Sequence, residues 1–91
     1  MYSLRVEKRV LKELRPYPHK IFKQIASRIF ALQVNPRPHD CKHVGLGYRM
    51  DSGEYRIYYH VDDEQQSVNV LVVGKRNDAE IYKTLRRMGL V

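Results

Sequence analysis

Hydrophobic residues in the first half of the chain follow a strand spacing and then a helical one. Over residues 2–6 apolar and polar positions alternate, which is the pattern of a short, half-buried strand. Apolar residues then recur every three or four positions and predict a brief helix that ends before Pro16. The same spacing predicts a longer helix over residues 19–34, which the prolines at positions 36 and 38 terminate.

The second half of the chain returns to strand spacing and ends in a helix. Three further strands are predicted over residues 48–50, 55–61 and 67–73. Short loops between them indicate antiparallel pairing. A final short helix over residues 78–88 would be capped by Asn77 or Asp78.

These elements predict an α+β fold of order β-α-α-β-β-β-α. Two N-terminal helices would pack on one face of a small antiparallel sheet, and a short C-terminal helix would follow it. The 91 residues suit one domain, covering positions 1–91.

The charge balance favours a polyanionic partner. Seventeen Lys and Arg against ten Asp and Glu give a net charge of +7, which suits nucleic acid, the ribosome or an acidic protein. No apolar run approaches the ~20 residues that span a bilayer, so neither a membrane segment nor a signal peptide is expected. A single cysteine cannot form an intrachain disulfide and suits a cytoplasmic protein, and histidines without metal-ligand spacing predict no metal site. The lack of a P-loop or G-x-G-x-x-G motif predicts no nucleotide cofactor.

Strand parity predicts a polar row on the sheet face away from the helices. Arg56, Tyr58 and His60 share this face, because alternate residues of a strand point the same way. On the preceding strand, Arg49 and Asp51 face in the same direction. Guanidinium groups bind phosphates and aromatic rings stack on bases, so this face is a plausible RNA surface.

Two turns between these strands are possible, and they give Arg56 different neighbours. A turn at residues 52–53 places Arg49 opposite Arg56, and two cations so placed repel unless an anion lies between them. A turn at residues 53–54 places Asp51 opposite Arg56, in an ordinary cross-strand ion pair. Local chemistry alone leaves both turns open.

Four segments together resemble the RelE family of bacterial toxins. They are residues 42–45, with a lysine-x-x-glycine motif, residues 54–63, residues 70–76, and the pair Ile81-Tyr82. The resemblance implies a metal-independent, mRNA-cleaving toxin that acts in the ribosomal A site, beside 16S rRNA. It also implies a cognate antitoxin that holds the toxin inactive in a hetero-oligomer.

The resemblance further implies how RNA would be cut. A ribose 2′-hydroxyl would attack the adjacent phosphate and leave a 2′,3′-cyclic phosphate. Arg56 and Arg76 would stabilise the pentacoordinate phosphorane, and Tyr82 would orient or stack on a nucleotide. Arg49 would supply positive charge, since a guanidinium stays protonated in proteins.

The resemblance does not supply the general base, because the family has a basic residue where this chain has Asp51. Asp51 or His60 is the candidate for that role. The candidates for RNA binding are cationic or aromatic: Lys42, His43, Tyr58, Lys75, Lys8, Arg9 and Lys12. Two other functions stay open: a ParE-like protein that poisons DNA gyrase without cutting RNA, and an inactive binding module in which Asp51 only neutralises Arg56.

Overall fold

The computed structural model describes residues 1–75 and 80–90, and these confirm the α+β class. The elements are β1 (Ser3–Val6), α1 (Lys8–Leu14), α2 (His19–Ala31), β2 (Lys42–Val44), β3 (Gly47–Ser52), β4 (Tyr55–Asp62), β5 (Ser67–Lys75) and α3 (Glu80–Arg87). The expected caps of the last helix, Asn77 and Asp78, lie outside the described residues.

The strands form one mixed sheet in the order β1-β5-β4-β3-β2. Neighbours among β2 to β5 are antiparallel, but β1 runs parallel to β5, with Ser3 opposite Ser67. The expectation of an all-antiparallel sheet was therefore wrong at β1. The expected order also lacked β2, whose three residues are too few to show an alternating pattern.

Helices α1 and α2 cover one face of the sheet, as predicted, and their apolar sides form the main core with β3, β4 and β5. Its buried residues include Val10, Leu14, Ile25, Ile29, Met50, Ile57, Tyr59, Val68, Val70 and Val73. Helix α2 ends three residues earlier than predicted because its last turn tightens, with Val34 N–H donating to the Ala31 carbonyl. No helix in the described ranges is long and apolar enough to cross a membrane.

Helix α3 covers part of the opposite face. Its Ile81 and Leu85 pack against Tyr58, Leu71 and Val72 in a second, smaller core. A β-bulge makes this possible: Tyr58 lies opposite Val72 and its neighbour opposite Val70, so Leu71 is an extra residue in β5. Both Leu71 and Val72 therefore point towards α3.

The burial of Tyr58 corrects its expected place on an open RNA surface. The residue is on the predicted face, but only 1% of its surface is exposed because α3 lies over it. Its hydroxyl donates to the Val44 carbonyl at 3.2 Å and so links β4 to β2. A side chain in this position cannot stack on a base.

A bidentate ion pair holds the connection that leads into β2. Arg37 donates from Nη1 and Nη2 to the two carboxylate oxygens of Asp63, at 3.1 and 2.9 Å. Its Nε donates to the Tyr48 hydroxyl at 2.9 Å. This three-residue contact connects the segment before β2 to β3 and to the β4–β5 turn, and so helps to place the edge of the sheet.

We expect Gly47→Ala to destabilise the protein, because β3 passes close to β4 at this glycine. A Cβ atom there would lie 2.5 Å from the Tyr59 carbonyl oxygen and would also overlap the His60 ring. Overpacking of this kind costs about 1–3 kcal/mol of unfolding free energy. Urea denaturation of the purified protein measures the loss.

Gly74→Ala is the matched control for this experiment. The nearest atom to a Cβ at Gly74 is the Ile81 Cβ at 3.7 Å, an ordinary contact. An equal loss of stability in both variants would show that general strand effects, rather than the close approach at Gly47, are responsible.

Candidate functional site

The turn between β3 and β4 decides which residue faces Arg56. Asp51 lies opposite Arg56, and the turn residues are Gly53 and Glu54. Gly53 has a φ of +58°, the left-handed value that the first residue of a type II′ turn requires. Of the two alternatives in the sequence, the structure has the one that neutralises Arg56. Arg49 lies opposite Tyr58 instead.

Arg56 is held on two sides at the rim of the sheet. Its Nε donates to Asp51 Oδ1 at 3.2 Å, and its Nη1 donates to the Tyr82 hydroxyl at 2.5 Å. Its side chain is 14% exposed and that of Asp51 is 35% exposed. A guanidinium this buried needs acceptors, and these two also fix its orientation. The structure thus brings together three of the predicted catalytic residues.

Two further predicted residues lie on the same face. Lys42 and Arg49 are directly opposite each other in the β2–β3 pairing. Val44 packs in the core under α3, so Lys42, two residues earlier, points towards the same side. Arg49 alternates with Met50, which is buried in the core on the other side. The cationic face therefore extends from Arg56 to the edge of the sheet.

His60 lies apart from this group. It is on the same face of β4 as Arg56 but four residues further along, which is about 13 Å. Its Nε2 is 3.2 Å from the Tyr58 hydroxyl, and burial lowers the pKa of its imidazole below the ordinary value. Asp51 is therefore the nearer of the two candidate bases to Arg56.

His43 and Lys75 are on the other face of the sheet from Arg56. His43 is opposite Tyr48, with the ring centroids 5.0 Å apart, and Tyr48 packs against the main core. Lys75 is opposite Tyr55, which packs against the same core. Parity thus corrects the expectation that these two residues belong to the Arg56 surface.

The three basic residues predicted on α1 also lie away from Arg56. Lys8, Arg9 and Lys12 are exposed on this helix, whose buried side faces the main core. Arg9 Nη1 contacts the Met88 sulfur at 3.1 Å, just beyond α3. Their role in RNA binding stays a prediction, as does that of Arg76, which lies outside the described residues.

Sequence reasoning missed Glu13, which lines a cleft of about 380 Å³ beside the end of β5. Its carboxylate accepts a hydrogen bond from the Val73 N–H at 3.4 Å, and burial raises its pKa. Gly74, Lys75 and Thr84 also line this cleft. Helical periodicity assigns Glu13 to the polar side of α1, so no sequence signal marked it. Among the described residues, no group of three His, Cys, Asp or Glu side chains could hold a metal ion.

The fold and the site can be compared with known proteins. Residues 2–80 match the family model of the ParE toxin of type II toxin-antitoxin systems. A curated relative, the mRNA interferase toxin RelE of Escherichia coli, is 32% identical over 85 residues, covering 89% of this chain and 90% of the relative.

Solved structures give the same picture over most of the chain. The isolated E. coli RelE toxin in its P21 crystal form has a TM-score of 0.71 at 29% identity, covering 97% of this chain and 99% of that one. A chain of the intact E. coli RelBE toxin-antitoxin complex has a TM-score of 0.72 at 29% identity, covering 86% and 100%.

We expect His60 to make stability depend on pH. Because burial lowers its pKa, the unfolded chain takes up this proton at a higher pH than the folded protein does. The neutral His60 side chain makes its full contribution to the free energy of unfolding above about pH 6.5, the ordinary histidine pKa. This contribution is lost as the pH falls through the lower pKa that His60 has in the folded protein. Urea denaturation at pH values above and below the pKa of His60 in the folded protein should show a larger fall in unfolding free energy for wild type than for His60→Gln. Equal drops would contradict this role.

Proposed function

Because the chain belongs to the RelE/ParE superfamily of type II toxin-antitoxin toxins, we propose that it is a metal-independent endoribonuclease that cuts mRNA on the ribosome. The observation that carries the proposal is the fixed Arg56, held between Asp51 and Tyr82 at the rim of a cationic face. The relative named mRNA interferase supports the choice of RNA cleavage.

In the proposed reaction the RNA phosphate binds at Arg56. The ribose 2′-oxygen forms a bond to phosphorus while the bond to the 5′-oxygen of the next nucleotide breaks, which gives a 2′,3′-cyclic phosphate and a free 5′-hydroxyl. A base removes the 2′-hydroxyl proton, and the leaving oxygen takes up a proton. Arg56 stabilises the charge that develops on the phosphorane, and Arg76 acts near the leaving oxygen. Tyr82 orients the nucleotide.

We assign Asp51 to restraining Arg56 rather than to proton transfer. The carboxylate is opposite the guanidinium and bonded to it, so it neutralises the charge while no substrate is present. A substrate phosphate then takes the place of Asp51 on Arg56, because the guanidinium can bind a phosphate through two parallel hydrogen bonds, whereas it gives Asp51 only the one from Nε. Asp51 would otherwise repel the substrate at close range.

The proposal includes two macromolecular partners in the cytoplasm. One is a cognate antitoxin, which the similarity to the toxin chain of the RelBE complex supports. The other is the ribosome with its message in the A site, for which the net charge of +7 is suited. The toxin and its antitoxin would form a hetero-oligomer.

A ParE-like poison of DNA gyrase is the second candidate. The family model that matches this chain is described as a ParE toxin, which favours it. Primer extension on cellular mRNA after brief induction detects cleavage, and plasmid supercoiling measured in parallel detects loss of gyrase activity. Intact mRNA together with loss of supercoiling would establish the alternative.

We expect Arg56→Ala and Arg76→Ala each to reduce cleavage by on the order of a hundredfold, because each removes charge stabilisation from the phosphorane. Cleavage is measured by primer extension in a ribosome-based translation reaction. Arg15→Ala is the control, since Arg15 is an exposed arginine at the end of α1. Full cleavage by folded Arg76→Ala protein would contradict the proposed mechanism.

Asp51→Asn separates the two roles of the carboxylate. As a restraint of Arg56, Asp51 is replaceable by an amide whose oxygen still accepts a hydrogen bond from the guanidinium, so the variant should fold and should cut RNA as fast as wild type or faster. As the general base, Asp51 would be required, and the variant would bind ribosomes without cutting the message. The same primer-extension assay, with ribosome co-sedimentation, distinguishes these outcomes.

A further inference from the structure

The pairing of β2 with β3 places two cations directly against each other. Lys42 and Arg49 are opposite residues in this antiparallel pair, with Cβ atoms roughly 5 Å apart. Like charges in this arrangement destabilise a sheet. None of the ion pairs within the described ranges involves either residue, so this charge is not neutralised there.

This pair is part of the same surface as Arg56. Arg49 is two residues from Asp51, which is opposite Arg56, so the Cα atoms of the two arginines are ~8 Å apart. The bond from the Tyr58 hydroxyl to the Val44 carbonyl holds β2 in place. Arg56 has Asp51 as a carboxylate partner, whereas Arg49 forms no ion pair with any other residue that the structure describes.

Helix α3 adds a wall on one side of this surface. Its Tyr82 bonds to Arg56, and Arg86 follows four residues later on the same side of the helix. Thr84, on the other side, lines the cleft beside Glu13. Tyr82 and Arg86 thus lie on the side of α3 away from the Glu13 cleft, and Tyr82 reaches the sheet at Arg56.

We propose that Lys42 and Arg49 form a second phosphate subsite for single-stranded RNA, with Arg86 at its edge. This inference rests on the proposed function, because the first phosphate is the one cut at Arg56. A phosphodiester next to the scissile one binds between Lys42 and Arg49 and removes their mutual repulsion. The chain therefore recognises an RNA with at least two consecutive phosphodiesters, through its backbone rather than its bases.

RNA binding tests the subsite directly. The probe is a short single-stranded RNA with 2′-O-methyl riboses, which cannot be cut by 2′-hydroxyl attack, and its dissociation constant is measured by fluorescence anisotropy over a range of salt concentrations. Lys42→Gln/Arg49→Gln should weaken binding by on the order of tenfold and lower the slope of log K against log salt by about one. Lys20→Gln/Lys23→Gln is the matched control, because it removes two exposed charges from α2 on the other side of the sheet.

Lys42→Glu separates binding from folding. It converts the repulsive pair into an attractive one, so the Tm should stay the same or rise while RNA affinity falls. A fall in affinity that occurs only together with a fall in Tm would assign the pair a structural role and overturn the proposal.

The remaining outcomes separate the subsite from the proposed function. Equal affinity and salt slope for the two double variants, or no RNA binding by wild type even at low salt, would overturn the subsite. Absence of mRNA cleavage by wild type would contradict the proposed function, whatever the binding data show. Normal cleavage with equal affinities would contradict the subsite alone.

Discussion

The burial of β5 on both of its faces is the constraint on which the rest of the structure depends. One face supplies the main core and the other supplies the smaller core under α3. The bulge at Leu71 shifts the alternation, so that Val73 returns to the main core and Gly74 comes to lie opposite Arg56. Helix α3 packs against this strand through Ile81, which lies near Gly74, and its next residue, Tyr82, bonds to Arg56.

Much of this arrangement could be predicted from local patterns, and the rest depended on long-range contacts. Apolar spacing identified the helices and the faces of β3 and β4, because these patterns arise within each element. The parallel pairing of β1 and the strand at Lys42–Val44 left no local signal. Parity placed Tyr58 on the correct face but could not show that α3 covers it. Unbroken parity along β5 would have placed Lys75 on the Arg56 face, and the shift at Leu71 that moves it to the other face has no sequence signature.

The two arginines of β3 and β4 show how register distributes charge on this surface. The turn at Gly53 pairs Arg56 with Asp51, so this partly buried cation has a carboxylate that offsets part of its desolvation cost. The separate pairing of β2 with β3 places Arg49 opposite Lys42. Had the turn been one residue earlier, Arg49 and Arg56 would have repelled each other directly. The position of this turn thus decides whether Arg56 faces a carboxylate or a second guanidinium.

The parallel contact between β1 and β5 also determines when the domain can be completed during synthesis. Ser3 pairs with Ser67 and Val6 with Val70, so the first strand made has to wait for the last strand of the sheet. Contacts between residues so distant in sequence form slowly, since a long loop must be closed before they contribute. Until then, β1 and the apolar sides of α1 and α2 have no β5 to pack against. Until residue 70 has been made, the chain cannot complete the pairing of β1 with β5, so the sheet that presents Arg56 is finished late in synthesis.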